Sequence, residues 1–175
     1  HASVVQQMVH HGLQTIPVHE GKPYLNKPPL KLWLSALVVR VLGEHNAAYR
    51  FIDALCGVLT AGIVFLFGAL LFRSSLVGFM SVAALLGSEL YLFEHVVRTA
   101  VQDSFLVLAS TLAITTGFIA LETNSHVTKR VGIVVSGLAV AAGVLVKHVA
   151  GLLPLLVLGT YLLANRCLQH FFFLD

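Results

Sequence analysis

Residues 54–72 read ALCGVLTAGIVFLFGALLF, an apolar stretch without a charged residue. A helix that crosses a bilayer needs about 20 apolar residues, so this stretch predicts a membrane-spanning helix. The composition agrees, because 57% of the 175 residues are hydrophobic and 11% are charged, against roughly a quarter charged in a soluble domain. The sequence therefore predicts an all-α, polytopic transmembrane helix bundle and excludes a water-soluble fold.

Residues 47–175 are predicted to form the bundle, with about five spans at 54–72, 76–93, 105–121, 131–147 and 149–165. The last two come from one long apolar run that Lys147, His148 and Pro154 interrupt. We interpret this run as two short helices that meet at the membrane surface. The alternative is one long tilted helix with a kink at Pro154. That helix would place Lys147 at mid-bilayer, where a charge is costly.

Residues 1–46 are predicted to form an outward-facing loop with two amphipathic surface helices. The first follows the helical spacing of apolar residues between Ala2 and His11. The second opens at Pro28-Pro29, since proline is well tolerated in a first turn, and runs to Leu42. Lys31 and Arg40 are expected to be snorkelling cations on this helix. Its apolar side is predicted to hold Leu30, Leu32, Trp33, Leu34, Leu37, Val38 and Val41.

The chain begins at His1 without a methionine and stops at Asp175 just after an apolar run. We expect a fragment of a longer protein, and no signal peptide is visible. Basic residues at Arg73, Lys129–Arg130 and Arg166 fall on alternate connections, which the positive-inside rule assigns to the cytoplasm. The other face carries more basic residues, and we expect it to bind an anionic partner.

Other classes of function have little support in the sequence. Cys56 and Cys167 lie in or beside apolar runs, which argues against a disulfide framework or a zinc cluster. No nucleotide-binding or hydrolase motif is present, and basic residues do not cluster as in nucleic-acid-binding proteins. The sequence therefore predicts no nucleic-acid partner.

Several short motifs occur in a specific order. They are Gly21 to Tyr24, Lys27-Pro28-Pro29, Ala48-Tyr49-Arg50, Arg98-Thr99-Ala100 followed by Asp103, and a helix end from Leu138 to Lys147. This ordered set resembles the polyprenyl-phosphate-dependent glycosyltransferases of the GT-C superfold, which include lipid A aminoarabinose transferases and protein O-mannosyltransferases. The resemblance covers nearly all of the chain, which would be about the first third of such an enzyme.

The resemblance implies an inverting transferase that moves a hexose or pentose from a polyprenyl-phosphate donor to a lipid, glycan or protein acceptor on the outward (periplasmic or luminal) face of the bilayer. It also implies a multi-pass protein of the bacterial inner membrane with its active face to the periplasm. The family's principal base would lie ahead of His1. Some members have a metal-binding glutamate where this chain has Asn26, so a divalent metal or other cofactor is not favoured here.

Six residues are candidates for the site. The resemblance implies a catalytic role for Asp103 and substrate binding by Lys27, Arg98, Lys147, Tyr24 and Arg50. Lys27 combines a positive charge with a helix start, which suits a phosphate. Each has a structural alternative. Lys27 would be a solvated lysine before a helix, and Arg98 would form an interfacial ion pair with Asp103, which would also cap the following helix. Lys147 would snorkel, Tyr24 would be an interfacial aromatic, and Arg50 would pair with Asp53 or Glu44.

Two other classes of function stay open from the residues alone. In one, the chain belongs to a transporter or flippase-like bundle whose pathway is lined by Glu89 and Lys147. In the other, it is a non-catalytic membrane subunit.

Overall fold

The computed structural model describes residues 2–12, 16, 18–19, 22–24, 28–88, 91 and 103–172. Within these residues the helices are α1 (Ala2–His11), α2 (Leu30–Leu42), α3 (Asn46–Phe72), α4 (Ser75–Leu86), α5 (Asp103–Glu122), α6 (His126–Lys147) and α7 (Leu153–Phe172). A 3₁₀ turn, His148–Leu152, joins α6 to α7. Strands β1 (Val18–His19) and β2 (Lys22–Pro23) pair antiparallel between α1 and α2. The prediction of an all-α bundle is confirmed.

Three stretches of the described chain are long and apolar enough to cross a membrane: Asn46–Phe72, Asp103–Glu122 and His126–Asn165. The last of them contains both α6 and α7. α4 is apolar but shorter, and it ends at Leu86, within the predicted span 76–93. Residues 89–90 and 92–93 of that span lie outside the described residues.

α1 and α2 pack on each other and on the first turn of α3 through a small apolar core. Val4, Val5 and Met8 of α1 are buried there, spaced so that they share one side of the helix. The Arg40 guanidinium on α2 donates hydrogen bonds to the carbonyls of Met8 and Val9, at 3.2 and 3.5 Å. A cation therefore satisfies carbonyls at the C-terminal end of α1, where helices leave them unpaired.

The buried side of α2 differs from the predicted one. It consists of Lys31, Leu32, Ser35, Ala36 and Val39, whereas Leu37 and Val41, which were expected on the apolar side, are exposed. The prediction that Lys31 snorkels was wrong, because Lys31 is buried and paired with Asp53. Arg40 is exposed, and its snorkelling stays a prediction. The buried face of α2 therefore includes a charged residue whose partner, Asp53, lies on α3.

α3 starts at Asn46, eight positions before the apolar run that predicts it. The His45 Nδ1 accepts a hydrogen bond of 2.9 Å from the Ala48 N–H, which fixes the first turn. The helix ends at Phe72, and Arg73 adopts a left-handed conformation with φ 51° before α4 begins. α3 and α4 then pack closely, since a Cβ at Gly78 would lie 2.8 Å from the Phe65 carbonyl oxygen.

Small residues let α5 and α6 approach each other. A Cβ on Gly132 would lie 2.8 Å from both the Thr116 carbonyl oxygen and the Ala120 Cβ. Farther along, the Ser136 hydroxyl donates a 2.9 Å hydrogen bond to the Ala113 carbonyl. Close backbone approach through small residues and cross-helix hydrogen bonds is typical of helix packing in membranes.

The chain reverses direction after α6. His148 has φ 45°, and a Cβ on Gly143 would lie 3.2 Å from the Cα of Gly151. Eight residues of continuous α-helix would separate these two positions by about 12 Å. The segment is therefore two helices joined by a tight turn, and not one long helix with a kink at Pro154.

Candidate functional site

The start of α5 and the end of α6 meet at one end of the bundle, next to the second turn of α3. Five polar residues gather there, and we call this region the polar end; it comprises Lys31, Asp53, Asp103, Ser104 and Lys147. The neighbours Asp103 and Ser104 make separate contacts, one with Lys147 and the other with Asp53. The polar end therefore contains a partly exposed pair and a buried cluster joined by one peptide bond.

The partly exposed pair is formed by Asp103 and Lys147. The Lys147 ammonium donates to Asp103 Oδ1, and the side chains are 42% and 21% exposed, respectively. Asp103 is the first residue of α5 and Lys147 the last of α6, so each charge also interacts favourably with the dipole of its own helix. An ammonium has three N–H donors, which leaves Lys147 able to donate to a phosphate or hydroxyl group as well.

The buried cluster is centred on Asp53 of α3. Its Oδ1 accepts a 2.5 Å hydrogen bond from the Lys31 ammonium and another from the Ser104 hydroxyl. All three residues are less than 5% exposed. Asp53 Oδ2 is also buried and has no hydrogen-bond partner among the described residues. One carboxylate oxygen thus holds α2, α3 and α5 together.

The structure brings two of the six predicted site residues together, Asp103 and Lys147. Tyr24 is half-buried against the apolar core of α1 and α2. Lys27 and Arg98 lie outside the described residues, as do Asn26 and Glu89. Their roles stay predictions.

Arg50 lies apart from the polar end, on an exposed part of α3. It lines an open polar cleft of about 450 Å³ together with Ser3, Gln6, Glu44, His45, Asn46 and Tyr49. The expected pairing of Arg50 with Asp53 or Glu44 was wrong, because Asp53 binds Lys31 and Glu44 binds His10 at 2.9 Å.

Among the described residues, no group of three or more His, Cys, Asp or Glu side chains is placed to hold a metal ion. Cys56 is a buried free thiol on α3. The described residues of the polar end offer carboxylate, ammonium and hydroxyl groups.

Sequence reasoning missed the buried cluster. The sequence predicts Lys31 at the membrane surface and Asp53 as a possible partner of Arg50, and it predicts no role for Ser104. A signal was present, since Lys31 falls on the same helical face as Leu32 and Val39. A lysine on a buried face needs an acidic partner, because an unpaired buried charge is costly.

Comparisons with known proteins agree with this architecture. The family model for dolichyl-phosphate-mannose-protein mannosyltransferase matches residues 26–174. An undecaprenyl phosphate-alpha-4-amino-4-deoxy-L-arabinose arabinosyl transferase of Edwardsiella ictaluri is 27% identical over 95% of the chain. A second such transferase, from Proteus mirabilis, is 26% identical over 90%. The chain spans 30% and 28% of the length of these two relatives, respectively.

A solved structure shares the fold. The crystal structure of ArnT from Cupriavidus metallidurans bound to undecaprenyl phosphate superposes with a TM-score of 0.85, at 21% identity, over 97% of this chain and 31% of that one. The apo structure of the same protein gives a TM-score of 0.84 over 94% of this chain. The resemblance inferred from the motifs is confirmed.

Proposed function

Because the chain belongs to the dolichyl-phosphate-mannose-protein mannosyltransferase family, we propose that it is part of a membrane glycosyltransferase with a polyprenyl-phosphate-linked sugar donor. The enzyme transfers the sugar to a lipid, glycan or protein acceptor on the outward face of the membrane, the periplasmic face of a bacterial inner membrane. The arabinosyl transferase relatives support a donor built on a polyprenyl phosphate.

The observation that carries the proposal is the Asp103–Lys147 pair. Both residues come from motifs of the family, 44 positions apart in sequence, and their side chains meet at the ends of two apolar helices. The phosphate of a membrane lipid lies at the same depth, at the boundary between apolar tails and water. A cation fixed there by a carboxylate is suited to an anionic lipid headgroup.

The reaction breaks the bond between the sugar C1 and a phosphate oxygen and forms one from C1 to the acceptor oxygen. The electron pair of the broken bond leaves with the lipid phosphate, whose added negative charge is stabilised by positive groups. We assign this stabilisation to Lys147, Lys27 and Arg98. Asp103 orients the Lys147 ammonium and contacts the acceptor. The acceptor proton goes to the acidic residue that the family resemblance places ahead of His1.

The test measures release of free polyprenyl phosphate from a labelled polyprenyl-phosphate sugar by the full-length protein in nanodiscs. We expect Lys147→Ala and Lys27→Ala each to lower the rate about 100-fold or more, as removal of one charge-stabilising donor does in other enzymes. Asp103→Asn removes the carboxylate that orients Lys147 and should lower the rate by about 100-fold as well. Each variant must keep the thermal midpoint of the wild type to within a few degrees.

Lys129→Ala is the matched control. Lys129 lies on the same helix as Lys147, near its other end, and is exposed. Their separation of 18 positions spans about 27 Å of helix, so Lys129 is too far away to reach the same phosphate. Equal losses in the two lysine variants would contradict the assignment. Absence of release by the wild type across several sugars and acceptors would favour a transporter or a non-catalytic subunit.

A further inference from the structure

The buried cluster lies immediately beside the candidate catalytic residue. Ser104 follows Asp103 in the first turn of α5, and its hydroxyl donates to Asp53 Oδ1 inside the protein. Asp103 points to the other side and accepts from Lys147. The first turn of α5 is therefore held from two directions, one buried and one open to ligand.

The same carboxylate also holds α2. Lys31 is the second residue of that helix, and its ammonium lies 2.5 Å from Asp53 Oδ1. Pro28 and Pro29, of the Lys-Pro-Pro motif, come directly before the helix in sequence. Asp53 thus links the start of the helix that follows this motif to the start of the helix that carries Asp103.

A buried ion pair is poor evidence for a stabilising role, because the desolvation of both charges offsets most of their attraction. Apolar residues of similar volume would join the three helices equally well. What they cannot supply is a directional contact that fixes the rotation of α5 about its axis. Reactions are sensitive to such placement, since an error of 1 Å can cost about 100-fold in rate.

We infer that Asp53 and Ser104 are positioning residues, which set the orientation of Asp103 for sugar transfer through the hydrogen bond that joins them. This inference rests on the proposed function. It assigns no contact with substrate to either residue. Their effect is expected in the rate of the chemical step and not in the affinity for the donor.

The test compares Ser104→Ala with Ser136→Ala in the full-length protein. Both serines are buried, and each donates one hydrogen bond between α5 and a neighbouring helix, but the bond of Ser136 goes to Ala113, far from Asp103 along α5. We expect Ser104→Ala to lower kcat about tenfold while KM for the donor stays within about twofold. Ser136→Ala should leave kcat unchanged to within about twofold, at a similar thermal midpoint.

A second variant tests Asp53 directly. The double variant combines Lys31→Met with Asp53→Leu. The Asp53 change removes the acceptor of the Ser104 hydroxyl, and the Lys31 change removes the ammonium that would otherwise be left buried without its partner. The same loss of kcat at unchanged donor KM supports the inference. If this double variant does not fold, the comparison of Ser104→Ala with Ser136→Ala still tests the positioning role.

The outcomes separate the two proposals. If Asp103→Asn abolishes polyprenyl phosphate release while Ser104→Ala keeps the wild-type kcat, the positioning role alone is overturned. A kcat loss shared equally by Ser104→Ala and Ser136→Ala also overturns it, because general helix packing would then be the cause. Absence of release by the wild type overturns both.

Discussion

A lysine and an aspartate that leave water on folding lose their hydration, and only a close mutual contact compensates for the loss. Lys31 and Asp53 make such a contact inside a chain that is otherwise strongly apolar. Removing one partner leaves the other charge buried and alone. At the scale of the residue, the pair therefore behaves as a unit.

We expect Asp53→Leu to destabilise the protein by about 3–5 kcal/mol, because Lys31 keeps its charge in a site without an anion. Adding Lys31→Met should recover most of that loss, since the site then holds two apolar side chains of similar volume. Thermal unfolding in detergent measures the loss of stability in Asp53→Leu and its recovery in the double variant. A double variant no more stable than Asp53→Leu would show that the two residues are not coupled.

Motifs in the sequence single out Asp103 and Lys147 as site residues, because each motif is a local pattern in the chain. The structure places the two side chains in contact, and their catalytic and binding roles stay predictions. Lys31 and Asp53 are different, because their roles depend on a contact across 22 positions. Hydrophobic periodicity contains no information about a partner so far away in the chain. For this reason it predicts that Lys31, which lies beside apolar residues, is at the membrane surface.

At the scale of the element, α5 and α6 owe their close contact to the absence of side chains. Gly132 faces the backbone of α5, while a Cβ at Gly137 on the same helix would meet no atom of the described residues within 4 Å. The two glycines therefore distinguish packing from helix propensity.

We expect Gly132→Ala to destabilise the protein by about 1–3 kcal/mol, since the added methyl group pushes on the Thr116 carbonyl and the Ala120 side chain. Gly137→Ala should be neutral or stabilise by about 0.5–1 kcal/mol, because alanine favours the helix. Unfolding midpoints of the two variants give the comparison. A loss of stability of similar size at both positions would mean that the close contact between α5 and α6 does not depend on Gly132 in particular.

The elements were predictable to different extents. Apolar runs locate the middles of α3, α5 and α6, because burial in lipid requires them. They do not locate the start of α3, where a mixture of polar and apolar residues continues the helix for two turns before Ala54. Those turns are stabilised by His45 and by contact with α2, and both depend on the tertiary fold.

At the scale of the whole molecule, the polar end and the connection between α5 and α6 lie at opposite ends of the helices. The proposed function requires the polar end to face outward. By sequence alone the orientation was ambiguous, since the face with the polar end also carries more basic residues than the other.

Single cysteines can determine the orientation. In a full-length protein without other cysteines, we expect His148→Cys to react with a membrane-impermeant maleimide in intact cells. Lys129→Cys should react only after the membrane is permeabilised. Both native side chains are exposed, so access depends on the side of the membrane. The reverse pattern would place Asp103 and Lys147 in the cytoplasm and contradict the outward-facing site.

The contacts of the polar end also determine when it is completed during synthesis. Asp53 is 22 residues from Lys31 and 51 residues from Ser104, and Asp103 is 44 residues from Lys147. At about 5–20 residues per second, Asp53 is synthesised about 1–4 s after Lys31, and Ser104 is synthesised about 3–10 s after Asp53. A nascent chain therefore enters the membrane with Lys31 and Asp53 both available to neutralise each other. Asp103 gains its partner Lys147 only when the whole of α6 has been translated.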